Sequence, residues 1–241
     1  MELQIRKMIT VLLPVKNGEK YIKEAIDSVL NQTFQDFELL IFNDESVDGT
    51  LDIINAYAAA DSRIKVITSQ AGFIGNLNAG IEAAKGAYIA RMDADDRMIP
   101  DRLKTQLNIM KSTDTDICGS WVKIFGDVPF EYLSHFEFTG RIDNPLQFLS
   151  YTNFLAHSSV MMRRSFMLQH GLRYENYPCN EDYKLWFEVA KKNGVFYVEP
   201  QPLMYYRISK DQVTKKSDAE MKKYAAVVTA QVVDYINIHS L

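Results

Sequence analysis

The segment YIARMDADD, residues 88 to 96, runs an apolar stretch into three carboxylates, Asp93, Asp95 and Asp96, within four positions. Carboxylates this close repel one another and resist ionisation unless a cation or hydrogen-bond donors offset them. Hard oxygen donors in that arrangement suit Mg²⁺ or Mn²⁺, ions that keep several waters and complete their shell with substrate phosphates. A diphosphate-bearing substrate is therefore the expected partner. The chain carries its own control in STDTDIC, where Asp114 and Asp116 have the same spacing but precede an apolar run and have no companion motif. That second pair reads as a solvated turn.

The elements around the first cluster put it where a ligand would sit. MITVLLPV (Met8 to Val15) is a continuous apolar run, as expected of a strand buried on both faces. From about Glu19, Tyr21, Ile22, Ala25, Ile26, Val29 and Leu30 recur at helical spacing. FELLIFND is the next strand, Asp48 is placed to cap the helix after it, and RIKVIT, GNLNAGIEAAKG and AYIARM repeat the alternation, with Gly86 as a helix stop. Four strand and helix alternations before Asp93 predict an α/β fold with a mostly parallel sheet, right-handed crossovers and helices on both faces. Ligands of such sheets bind beyond the carboxyl ends of the strands. Asp44 ends the second strand, Asp93 and Asp95 end the fourth, and the PVKNGE loop leaves the first, so three loops converge on one crevice.

Beyond Asp96 the pattern loosens. PDRLKTQLNIM reads as a helix with Pro100 in its first turn, DICGSWVKIFG as a strand, and 127–156 as loops plus a short helix. SSVMMRRSFML runs a strand into a turn or helix, EDYKLWFEVAKKNG is a helix closed by Gly194, and VFYV and LMYYRI read as two strands. The tail from Ser217 is an amphipathic helix whose default is to dock on the domain.

With 241 residues, 47% hydrophobic and 24% charged, the chain can bury a sizeable core. A formal net charge of -4 argues against broad phosphate neutralisation and so against a nucleic-acid partner. Cys118 and Cys179 are far apart without metal-ligand spacing, which fits free thiols in a reducing, cytoplasmic setting. The N-terminal apolar run is broken by Pro14 and lacks a cleavage site, and no apolar run reaches spanning length, so neither a signal peptide nor a transmembrane segment is expected. There is no Walker loop and no strand-linked G-x-G-x-x-G, which disfavours ATPases and dinucleotide dehydrogenases.

Taken in order, VLLPVKNGEKYIKEAIDSVLNQTFQDFELLIFNDESVDGT, NLNAGIEAAKGAYIARMDADDRMIPDRLKTQ, NEDYKLW and YYRISKDQVT resemble the family 2 glycosyltransferases of GT-A fold, over roughly residues 8 to 215. The resemblance implies transfer of a sugar from a nucleotide-sugar, usually a UDP-sugar, with inversion at the anomeric carbon. It implies that Pro14 and Val15 line the base, with Asn17 in the same loop and Asn78 on the following helix also on the nucleotide side. Asp44 would accept from the uracil ring, Asp93 would face the ribose, and Asp95 would ligate the Mn²⁺ or Mg²⁺ that bridges the diphosphate. Asp182 of NED matches the catalytic base, Glu181 would orient the site or the acceptor, His157 would stand near the diphosphate or acceptor, and Arg207 would steady the leaving phosphates. The chain departs from the pattern at Asn43-Asp44, where an acidic pair is usual, at Glu45, where a Gly is common, and at Leu77, where many relatives carry Arg.

Each of these residues also has a plainer reading. Asp182 alone would be a helix cap or dipole partner, His157 a satisfied polar group, Arg207 a strand terminator, and Tyr205, Tyr206 and Trp186 core rather than a sugar-stacking wall. The implied organisation is a nucleotide-sugar half over 1–126, an acceptor half over 127–216 and a C-terminal helix over 217–241. The implied acceptor is a glycan or lipid-linked glycan of cell-envelope polysaccharide synthesis, with peripheral membrane contact and homo-oligomerisation left open. The rival readings are a nucleotidyltransferase, whose Gly-rich signature is missing, an Asp-x-Asp phosphatase, whose motif would follow the first strand, and a non-catalytic nucleotide-sugar binder.

Overall fold

The computed structural model describes residues 8–210 and 218–239. Strand β1 (Ile9–Val15), helix α1 (Ile22–Leu30), β2 (Phe37–Asn43), α2 (Thr50–Ala60), β3 (Ile64–Thr68), α3 (Gly72–Ala83) and β4 (Tyr88–Arg91) form the alternating half. Strands β1 and β2 are buried at every position, as their unbroken apolar runs require of central parallel strands. After a short β5 (Arg97–Met98) come α4 (Arg102–Ser112), β6 (Ile117–Gly126), β7 (Tyr132–Ser134), β8 (Gly140–Ile142) and α5 (Pro145–Leu149). A 3-10 turn (His157–Ser159), β9 (Met161–Arg163), α6 (Arg164–Gln169), α7 (Glu181–Lys191), β10 (Phe196–Ile208) and α8 (Asp218–His239) complete the described chain.

All ten strands belong to one sheet, in the order β3-β2-β1-β4-β9-β6-β10-β5, with β7 paired to β6 and β8 to β10. Strands β1 to β4, β6 and β10 point the same way, and β9 runs against β4 and β6. The alternation of strand side chains divides the core in two. Val11 and Leu13 of β1 pack with α1, α2 and α4 on one face, and Leu12 packs with α3, α5, α6, α7 and α8 on the other. Helices therefore cover both faces.

Several local expectations are corrected. VFYV and LMYYRI are one strand, because β10 stays paired with β6 through register shifts on either side of Pro202; prolines without N–H groups make the ladder slip here rather than end. The 127–156 segment holds two short strands besides its helix. Gly86 is no helix stop, since α3 ends at Ala83; a Cβ there would lie 2.4 Å from the Thr10 nitrogen, so Gly86 permits a close backbone crossing. The left-handed residue after α7 is Asn193 at φ +57, with Gly194 donating back to the Val189 carbonyl at 3.1 Å. Asp48 is not the cap of α2: the N-cap is Gly49, without a side-chain cap bond, and Asp48 stands one residue before it, where its carboxylate accepts from the Thr50 nitrogen at 3.1 Å. Asp116 is not in a solvated turn but buried, accepting from Arg163 Nε at 2.9 Å and the Val195 nitrogen at 3.0 Å.

Helix α8 docks as expected of an amphipathic tail. Val228 and Val232 are fully buried against α5 and α7, Thr229 Oγ1 lies 3.0 Å from the Tyr183 hydroxyl, and Asn180, just before α7, donates to the Met221 carbonyl at 2.8 Å. Among the described residues, no helix is long and apolar enough to cross a membrane.

Candidate functional site

A cavity of about 800 Å³ opens beyond the carboxyl ends of β1, β2 and β4. The loop after β1 lines it with Pro14, Val15 and Asn17, β2 adds Asp44, and the loop after β4 adds Asp93 and Asp95. His157, Glu181 and Asp182 also line it, although they lie 62 or more positions beyond Asp95 in the sequence. The loop geometry is built from side chain to backbone. Asn17, at φ +53, accepts from the Val47 nitrogen at 2.9 Å, its own nitrogen donates to Ser46 Oγ at 2.9 Å, and Gly18 donates to Thr50 Oγ1 at 2.8 Å. The loops after β1 and β2 thus brace each other. Asp44 accepts from the Gly72 nitrogen at 3.1 Å and from Lys16 Nζ at 3.2 Å.

The carboxylates after β4 are differentiated by their surroundings. Asp93 forms a short ion pair with Arg91. Burial and the neighbouring Asp93 push the Asp95 carboxyl up to about 6. Asp96 is fully buried and is held well above the usual carboxylate range by burial and then by Asp93 and Asp95; it accepts the Arg207 nitrogen at 2.8 Å, and its second oxygen has no hydrogen-bond partner among the described residues. Such a cluster fits a divalent ion. Among the described residues no group of three His, Cys, Asp or Glu side chains converges that could hold a metal ion by itself.

The first turn of α7 supplies Glu181 and Asp182 to the same cavity. Asp182 Oδ2 accepts from Asn153 Nδ2 at 2.8 Å and Oδ1 accepts from the Tyr183 nitrogen at 2.7 Å, which fixes the carboxylate. Burial raises its pKa and the Asn153 hydrogen bond offsets part of that rise. Glu181 is pushed up to about 7 by burial and by Asp182 beside it. His157 Nδ1 stands 3.9 Å from Glu181 Oε1, but burial and then Arg91 hold the imidazole well below its ordinary value, so this is a neutral contact and not an ion pair. Its Nε2 lies 2.8 Å from the Tyr174 hydroxyl.

Two residues expected at the nucleotide do not reach the cavity wall. Asn78 spends its amide on the Tyr174 backbone, donating to the carbonyl at 2.9 Å and accepting from the nitrogen at 2.8 Å. Arg207 sits behind the acidic loop: Nε donates to the Asp95 carbonyl at 2.7 Å, Nη2 to Glu24 at 2.8 Å, and the guanidinium packs on Tyr21 and Phe125. It holds the loop rather than facing the cavity.

Other residues carry the site without having been read from the sequence. Arg91 lines the cavity while almost wholly buried, and Asn153 orients Asp182. Asn76 borders the cavity from α3 with neither amide atom hydrogen-bonded, while Leu77 turns into the core. Arg91 had a signal: an arginine inside the apolar run of a central strand needs a buried partner. Asn153 had none, since its role depends on a loop meeting α7 from 29 positions away.

The comparisons agree with this geometry. The sequence model of Glycosyl transferase family 2 matches residues 10–171. An uncharacterized glycosyltransferase of Haemophilus influenzae is 30% identical over 95% of this chain and 74% of its own length. The O-antigen biosynthesis glycosyltransferase WbnJ of Escherichia coli is 31% identical over 80% of this chain and 75% of its own. The fold matches S. aureus TarS 1-349 in complex with UDP-GlcNAc at TM-score 0.76 and 20% identity, over 92% of this chain and 65% of that one. It also matches the mannosyltransferase PcManGT of Pyrobaculum calidifontis, in complex with GDP-Man and Mn2+, at 0.68 and 14%, over 98% of this chain and 76% of that one. The α/β sheet has the GT-A fold of these glycosyltransferases. The chain belongs to glycosyl transferase family 2.

Proposed function

We propose that the protein transfers a sugar from a nucleotide-sugar, of UDP type, to a hydroxyl of a glycan or lipid-linked glycan in cell-envelope polysaccharide synthesis, with inversion. The observation that carries this reading is a single cavity lined both by the loops after β1, β2 and β4 and by Asp182. The names of relatives support the substrate class: TarS was solved with UDP-GlcNAc, and an E. coli relative 26% identical over 90% of this chain is a UDP-Glc:alpha-D-GlcNAc-diphosphoundecaprenol beta-1,3-glucosyltransferase. In this reading the chain works at the cytoplasmic face of the membrane, with 1–126 as the donor half, 127–216 as the acceptor half and the final helix as their support.

Pro14, Val15, Asn17 and Asp44 receive the nucleoside, Asp93 stands toward its sugar, and Asp95 would hold Mn²⁺ or Mg²⁺. When bound, that ion would supply charge stabilisation for the departing nucleoside diphosphate. Asp182, held by Asn153 and the Tyr183 amide, takes the proton of the acceptor hydroxyl as its oxygen attacks the anomeric carbon from the face opposite the leaving group. Neutral His157 orients acceptor or diphosphate through hydrogen bonds, and Arg207 acts on the phosphates indirectly, by fixing the loop that carries Asp95.

One displacement inverts configuration. A thermal-shift screen of nucleotide-sugars with Mn²⁺ identifies the donor, and NMR of the product is expected to give a β linkage from an α-linked donor. Asp182→Asn is expected to keep nucleotide affinity and lose on the order of a hundredfold in transfer. An α-linked product, or full activity in that variant, overturns the mechanism.

A further inference from the structure

Arg91 ends strand β4 in the cavity wall, 2% exposed. A buried guanidinium is costly unless it is paired, and this one is only partly used. Its Nη1 meets Asp93, its Nε is buried without a hydrogen-bond partner among the described residues, and the face of Phe73 lies 5.6 Å away. Its backbone is fixed from both sides. The Arg91 nitrogen donates to the Val160 carbonyl at 2.9 Å, and the Arg91 carbonyl accepts from buried Arg102 Nη2 at 2.8 Å. The guanidinium is held by its pair with Asp93 and lines one cavity with Asp95 after β4, His157 in the 3-10 turn, and Glu181 and Asp182 on α7.

We propose that Arg91 is a positioning residue of the transfer reaction, a permanent cation in the cavity that anchors Asp93 and offsets the negative charge of the Glu181–Asp182 pair. The proposal rests on the function proposed above. Its sign follows from the charges. Burial drives both α7 carboxyls toward the neutral acid, and the Arg91 charge opposes it at each, while the Asp93 charge adds to it at Glu181. The same cation helps keep His157 neutral, and it lies close enough to act on the Tyr174 hydroxyl. Lost Arg91 charge must therefore raise the apparent midpoint of the pair, and lost Asp93 charge must lower it.

The test is a ¹³C NMR titration of the Glu181 carboxyl in the full, metal-free chain, assigned by its loss in Glu181→Gln. Wild type is expected to titrate near the value of about 7 given above. Arg91→Gln is expected to move the midpoint up by about one unit or more, Arg91→Lys to restore most of it, and Asp93→Asn to move it down. With UDP-GlcNAc and Mn²⁺ as the probe, the acid limb of kcat in residual donor hydrolysis moves in the same directions. Midpoints unmoved in Arg91→Gln and Asp93→Asn overturn the proposal, and if Arg91→Gln does not fold, Asp93→Asn and Arg91→Lys decide it. A wild-type chain that turns over no nucleotide-sugar overturns the functional reading instead, and the titration still reads Arg91 by itself.

Discussion

Asp95 and Asp116 close two Asp-x-Asp pairs of identical spacing, and what each carboxylate already touches separates them. Asp116 is consumed by Arg163 and the Val195 nitrogen, whereas Asp95 faces the cavity with its ionisation suppressed by burial and Asp93. Asp95→Asn is therefore expected to abolish most of the Mn²⁺ dependence of UDP binding measured by calorimetry. Asp116→Asn is expected to leave that binding unchanged and to cost about 1–2 kcal/mol of stability, read from the denaturation midpoint. The sequence carries this contrast by context alone, since one pair follows a strand and the other precedes one. It could not give Asn76, Asn153 or the displacement of Asn78 from the cavity wall, because those depend on which way a helix turns and which distant loop arrives beside it. Arg91 stands two residues before Asp93 in YIARMDADD, so the cation that accompanies the carboxylates is present in the same stretch.

At the scale of elements, the parallel half was readable because its strands are unbroken apolar runs and its helices are short and punctuated. The signals at its joints were misread where one residue type serves two ends. Gly86 follows a helix and so resembles a stop, but its use is the crossing over β1, where Thr10 Oγ1 accepts its nitrogen at 2.9 Å. Gly86→Ala should then cost about 3 kcal/mol, because the new methyl meets backbone that cannot yield. Chemical denaturation measures it, and a loss of a few tenths, as for an exposed helix terminus, would refute the crossing. The prolines of β10 misled in the opposite sense, since they resemble a break but mark only a slip in register. Glu45, flagged by its place where a Gly is common, does sit in the left-handed region at φ +47.

Across the whole molecule, one sheet carries both walls of the cavity, because β6 and β10 continue the sheet past β9 on the far side of β4. The part of the cavity lined by His157, Glu181 and Asp182 was the less legible for a physical reason: its residues come from a 3-10 turn, a loop and the first turn of α7, none of which has a long periodic pattern. Its stiffness comes from α8, which clamps Asn180 and Tyr183 on either side of the two carboxylates. That packing also buries Trp186 beneath His157, with 6.2 Å between ring centroids, and the chain has only one other indole, Trp121. The molecule therefore contains its own optical reporter. A protonated imidazole quenches a neighbouring indole, and His157 is held neutral, so in Trp121→Phe the remaining emission should stay flat through the physiological pH range and change when a nucleotide-sugar or acceptor settles against His157. Fluorescence titration would then follow occupancy of that part of the cavity in an otherwise unlabelled protein.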